Sequence, residues 1–78
     1  MFPSRLRALR MKRKLTQQRM ADLLSLSLNA YQKYEQAERF PPQDTLVKIA
    51  DILNCPTDFL LGRDAYLRSL GVSVDEFQ

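Results

Sequence analysis

With 78 residues, 45% of them hydrophobic, two glycines and four prolines, the chain has the composition of one small helical domain; neither a second domain nor a disordered tail is expected. No apolar run approaches the ~20 residues that cross a bilayer, and residues 1–14 are basic without an apolar signal core, so a cytoplasmic, non-membrane protein is expected. A lone Cys55 and no histidine leave no internal disulfide, no ordinary zinc site and no nucleophile–base pair; no metal, no cofactor and no enzymatic activity are expected.

The net charge of +3 says little, but its distribution says more. Residues 1–40 hold nine Lys or Arg against three acids, a balance of +6, and residues 41–78 hold three against six, a balance of −3. A molecule polarised in this way turns its front half toward a polyanion before any specific contact forms.

A first helix is expected over residues 4–14, with Ser4 as its cap after Pro3. Leu6 and Leu9 give it a narrow apolar stripe that Phe2 and Met11 extend, and the rest of its surface is cationic. Leu15 is expected beneath the junction with the next helix.

Thr16 carries a hydroxyl that can accept from a backbone N–H left unpaired in a first helical turn, so a second helix starts there. Met20, Ala21, Leu23 and Leu24 follow at the three- and four-residue steps of one apolar face. Ser25, Leu26 and Ser27 interrupt that pattern. Ser27 can cap a third helix that turns Tyr31 and Tyr34 inward and leaves polar side chains outside. Helix, short turn and helix, the second one presenting Asn29, Gln32 and Lys33, is the arrangement that sets a helix in a DNA major groove.

Residues 36–42 read as a loop, because paired prolines do not continue a helix. Asp44 is the expected cap of a fourth helix, whose Leu46, Ile49, Ala50 and Leu53 keep the spacing of a buried face. Asn54, Cys55 and Pro56 end it; Thr57 then caps a short fifth helix over residues 58–61, closed by Gly62. Cys55 at this junction reads as a small buried apolar group. Residues 64–70 form one or two helical turns ended by Gly71, and residues 72–77 either a strand or another helix start. The division is therefore a domain at 1–62 and a C-terminal extension at 63–78, which either packs back on the fifth helix or meets a second copy.

Thr16-Gln17, Ala21, Leu24-Ser25-Leu26-Ser27, Tyr34-Glu35 and Arg39 resemble the helix-turn-helix of the phage repressor and Cro-like family of transcriptional regulators, over about residues 5–62. The resemblance implies an all-α, compact five-helix DNA-binding domain with the helix-turn-helix at its second and third helices. It also implies a sequence-specific regulator of transcription, a repressor of bacterial or phage origin, that binds a two-fold double-stranded operator as a homodimer. Two positions depart from the family. Ser25 stands where glycine is usual and would have to accept a positive φ or a changed turn. Tyr31 replaces an aliphatic residue, and its hydroxyl needs a partner or an exit to water.

Readout needs donors and acceptors at base edges. Asn29 can pair with adenine, Lys33 can donate to guanine or phosphate, Leu28 can rest on a thymine methyl, and Gln32 lies beside them; Gln17 matches a family position near the backbone or a base. Arg10, Arg13, Thr16, Gln36 and Arg39 are the expected phosphate neighbours. Read alone, Arg10 and Glu35 are two charges far apart in sequence; the resemblance implies a partly buried pair in which Glu35 holds Arg10 near a phosphate. The alternative to a regulator is a protein-interaction module, antitoxin-like or binding another regulator, for which exposed apolar residues on the third helix would speak. RNA binding lacks exposed aromatic platforms, since the tyrosines fit core spacing.

Overall fold

Two hydroxyl groups set the starts of the central helices in the computed structural model, which describes residues 1–77. Thr16 accepts from the Arg19 N–H at 3.0 Å and caps α2 (Gln17–Leu23). Ser27 accepts from the Ala30 N–H at 3.1 Å and caps α3 (Leu28–Glu35). The other helices are α1 (Phe2–Lys12), α4 (Gln43–Leu53), α5 (Thr57–Leu60) and α6 (Asp64–Ser69), followed by a 3-10 turn at Val74–Phe77. The chain is all-α, with the five expected helices joined by a sixth in the extension. Gln78, the last residue of that extension, lies outside the described residues.

Three helix starts differ from the sequence expectation, each for the same reason. Proline has a fixed φ near that of a helix entrance and no N–H to satisfy, so α4 and α5 begin directly after Pro42 and Pro56. At α1, Pro3 sits in the first turn and Met1 takes the cap position. Ser4, Asp44 and Thr57 consequently fall inside first turns rather than capping them. Ser4 Oγ donates to the Met1 carbonyl instead, and Asp44 accepts from the Thr45 N–H.

The helix ends share one device. After α1, α2, α3 and α4 the chain turns through Lys14, Ser25, Ala37 and Asn54, all with positive φ, and after α5 and α6 through Gly62 and Gly71. The following N–H then reaches back to a carbonyl five residues earlier, as from Leu15 to Arg10, Leu26 to Ala21 and Val72 to Leu67. This satisfies helix-end carbonyls that would otherwise have no partner. Leu15, Leu26, Cys55 and Val72, the residues after four of these turns, pack against the core.

That core is one cluster drawn from every α-helix and the 3-10 turn. It includes Leu6 and Leu9, Met20 and Ala21, Tyr31 and Tyr34, Ile49 and Leu53, Phe59 and Leu60, Leu67 and Val74. Met11 and Leu23, expected on apolar faces, are instead 57% and 40% exposed, because α1 and α2 bury only narrow stripes against neighbours. Arg5 ties the chain's two ends together. Its guanidinium lies 4.1 Å from the Phe59 ring centre, donates to the Phe59 carbonyl, and grips Asp64 at 2.7 and 2.8 Å. Among the described residues no helix is long and apolar enough to cross a membrane.

Candidate nucleic-acid interface

Burying Tyr31 and Tyr34, whose rings meet edge-on at 6.3 Å, fixes which way α3 faces. Its opposite edge leaves Asn29 exposed, with Leu28, Gln32 and Lys33 partly so. Four of the five residues expected at base edges thus share one surface of α3; the fifth, Gln17, opens α2.

Glu35, at the last turn of α3, gathers the donors behind that surface. Arg10 grips it with Nε at 2.7 Å and a second N–H at 3.3 Å, while another guanidinium N–H reaches the Leu15 carbonyl at 2.8 Å. The Glu35 and Arg10 side chains are only 4% and 11% exposed. Tyr31 completes the set from one turn earlier in the same helix, donating its hydroxyl to Glu35 Oε2. This hydroxyl partner is what allows a tyrosine at an otherwise apolar position.

The electrostatics follow from these contacts. Burial alone would push the Glu35 carboxyl up, but hydrogen bonds from Arg10, Tyr31 and Gln17 outweigh it and hold the carboxyl below its ordinary range. The same pair holds Arg10 more firmly protonated, chiefly through its hydrogen bonds to Glu35. Burial and then the Glu35 contact push the Tyr31 hydroxyl above the ordinary phenol range. Glu35 is therefore an ionised, acceptor-only group and Tyr31 a permanent donor at neutral pH.

Gln17, at the first turn of α2, donates to Glu35 Oε1 at 3.1 Å and accepts from Gln32 at 3.0 Å. Arg7, Arg10, Thr16, Gln17, Glu35 and Gln36 line one shallow hollow beside α3. Four of the expected DNA neighbours meet there. Two others lie elsewhere: Arg39 is exposed in the loop after α3, and Arg13 donates to the Leu53 carbonyl at 2.9 Å, where the carbonyls ending α4 attract a cation. Asn29, Lys33 and Leu28 make no side-chain hydrogen bond within the described residues.

Sequence reasoning missed Arg7 in this hollow, although its place three residues before Arg10 puts both on one face of α1. It also missed the Gln17–Gln32 bond, which depends on the angle between α2 and α3. No signal in the sequence carries that angle.

The model of the Helix-turn-helix family matches residues 6–60. The chain belongs to that family. Among its curated relatives, the uncharacterized HTH-type transcriptional regulator YqaE of Bacillus subtilis is 44% identical over 61 residues, 78% of this chain and 53% of that protein. The cryptic phage CTXphi transcriptional repressor RstR of Vibrio cholerae is 50% identical over 48 residues, 62% of this chain and 43% of its own. The HTH-type transcriptional regulator ImmR of Bacillus subtilis is 40% identical over 60 residues, 77% of this chain and 47% of that one. The chain thus spans about half the length of the relatives it matches. No solved structure matches it significantly.

Proposed function

We propose that the chain binds double-stranded DNA sequence-specifically through α3 and regulates transcription, as a repressor acting on a two-fold operator. The observation that carries this reading is the polar outer edge of α3 beside the cationic hollow of Arg7 and Arg10. Membership in the helix-turn-helix family and relatives named as transcriptional regulators support it. A polar α3 is also what an interaction module would lack.

Each side chain then has a role. Asn29 reads adenine, Lys33 donates to guanine or phosphate, and Leu28 rests on a thymine methyl. Arg10 spends three of its five N–H groups on Glu35 and Leu15, leaving two for a phosphate oxygen. Arg7, Thr16, Gln36 and Arg39 flank it on the backbone. Arg13 is committed to α4 and is left out of this set. The reading assigns no catalytic step.

Two or three base contacts, each worth roughly 1–3 kcal/mol of discrimination, give specificity but modest affinity for one half-site. A homodimer whose half-sites lie about one helical turn apart supplies the rest. Selection of bound fragments from random duplex DNA at several salt concentrations tests the whole reading. An enriched two-fold sequence is expected, with affinity falling steeply as salt rises. Binding without any enriched sequence would overturn it.

A further inference from the structure

An ionised carboxylate has about four acceptor positions, two on each oxygen, and at Glu35 all of them are taken. Oε2 accepts from Arg10 Nε at 2.7 Å and from the Tyr31 hydroxyl; Oε1 accepts from Arg10 at 3.3 Å and from Gln17 at 3.1 Å. No position is left for a further donor. The two Arg10 N–H groups not spent on Glu35 and Leu15 therefore cannot fold back onto Glu35, and are left for the hollow that Arg10 lines with Arg7, Thr16 and Gln36.

Of the donors on Glu35, Tyr31 has the least freedom. Its ring is fully buried and meets Tyr34 edge-on, whereas Arg10 and Gln17 reach the carboxylate on long, rotamer-rich side chains. A fork of two N–H bonds brings a guanidinium into the plane of the carboxylate it grips. We propose that Tyr31 is the positioning residue of the phosphate contact: its hydroxyl fixes the plane of the Glu35 carboxylate, which in turn fixes where the spare N–H groups of Arg10 meet the DNA backbone. Without the hydroxyl, Oε2 keeps a vacant acceptor position on a side chain almost wholly out of water. The Arg10 guanidinium already on that oxygen is the donor that fills it, and in turning inward it gives up the phosphate. An aliphatic side chain at position 31 supplies no such pin. The inference rests on the DNA-binding reading above and deepens it.

The full chain and its Tyr31→Phe, Arg10→Lys and doubly substituted variants are titrated with the duplex that the parent selects, over a range of salt concentrations. Melting curves set a temperature at which all of them are folded. Tyr31→Phe removes one oxygen and keeps the ring; Tyr31→Ile, which also lacks the hydroxyl, is read in the same way should the phenylalanine variant pack poorly. Tyr31→Phe is expected to bind about three- to tenfold more weakly. Its plot of log affinity against log salt should be shallower by roughly 0.9 per half-site, the mark of one lost phosphate contact. Its preferred sequence should stay the parent's. Lysine at position 10 can pair with Glu35 but has no fork with which to reach a phosphate as well, so Arg10→Lys should show the same shallower slope, and adding Tyr31→Phe to it should change the slope no further. A Tyr31→Phe variant that melts lower but keeps the parent's salt slope has lost only stability, and overturns the inference. So does an equal loss of slope from Tyr31→Phe in the Arg10→Lys background, or a changed base preference, which would mean that α3 itself had moved. Failure of the parent to enrich any sequence is a different result, which removes the DNA-binding reading and the role of Tyr31 with it.

Discussion

At the scale of single residues the side chains gathered behind α3 depend on Glu35. Four hydrogen bonds from Arg10, Gln17 and Tyr31 converge on a side chain almost wholly out of water, and only together do they offset the cost of burying its charge. Glu35→Ala would leave the Arg10 guanidinium buried without its counter-ion. The expected loss is about 3–5 kcal/mol, a large share of the roughly 4–12 kcal/mol that holds a domain of this size. Melting temperature and DNA affinity should fall together; an unchanged melting temperature would reject a buried pair. The Arg10–Glu35 partnership was accessible in the sequence only through resemblance, since 25 residues separate the two. The Tyr31 hydroxyl was half legible. A tyrosine at a core position announces a need for a partner, and Glu35 stands four residues on, where side chains on one helix meet. The hydrogen bond linking Gln17 and Gln32 was not legible, because it crosses between helices whose relative tilt depends on core packing.

At the scale of elements, helix starts were readable where a hydroxyl caps and unreadable where proline does the work. Thr16 and Ser27 were visible in the sequence because their side chains compete for backbone N–H groups at only one kind of place. Ser4, Asp44 and Thr57 carry the same chemistry but stand among the first three residues of helices whose cap or first-turn positions hold Pro42, Pro56 and Pro3. The ends were less legible still. Four of the left-handed turns fall on Lys14, Ser25, Ala37 and Asn54 rather than on glycine, so the usual mark of a helix stop is missing. A left-handed backbone costs an ordinary residue roughly 1–2 kcal/mol, of which glycine returns part to the unfolded chain. Ser25→Gly and Ala37→Gly are each expected to stabilise the domain by about 0.5–1 kcal/mol, a rise of a few degrees in melting temperature. Ala30→Gly, inside α3, is the control and should lower it by about the same amount. If Ser25→Gly melts below the parent, the turn between α2 and α3 draws more from the serine side chain than the backbone strain costs.

At the scale of the whole molecule, the segment after Gly62 is woven into the same core as the helix-turn-helix. Leu67 and Val74 are buried there, Phe77 lies 5.3 Å from the Phe59 ring, and Asp64 holds Arg5 of α1. Its other side is open, with Tyr66 of α6 44% exposed and Leu70, directly after α6, 59% exposed. The two sides have different expected roles, and two variants separate them. Ending the chain at Gly62 removes the burial of Leu67 and Val74, worth about 1.5–3 kcal/mol each, and strips Arg5 of its carboxylate. That shortened chain is expected to melt far below the parent or to lose cooperative unfolding. Replacing Tyr66 and Leu70 by serine leaves the core untouched, so the melting temperature at high dilution should match the parent's. If the outer side of α6 joins two copies, sedimentation of the serine variant will show the mass of one chain where the parent shows two. Equal masses would dismiss α6 from pairing and leave the segment a purely internal brace.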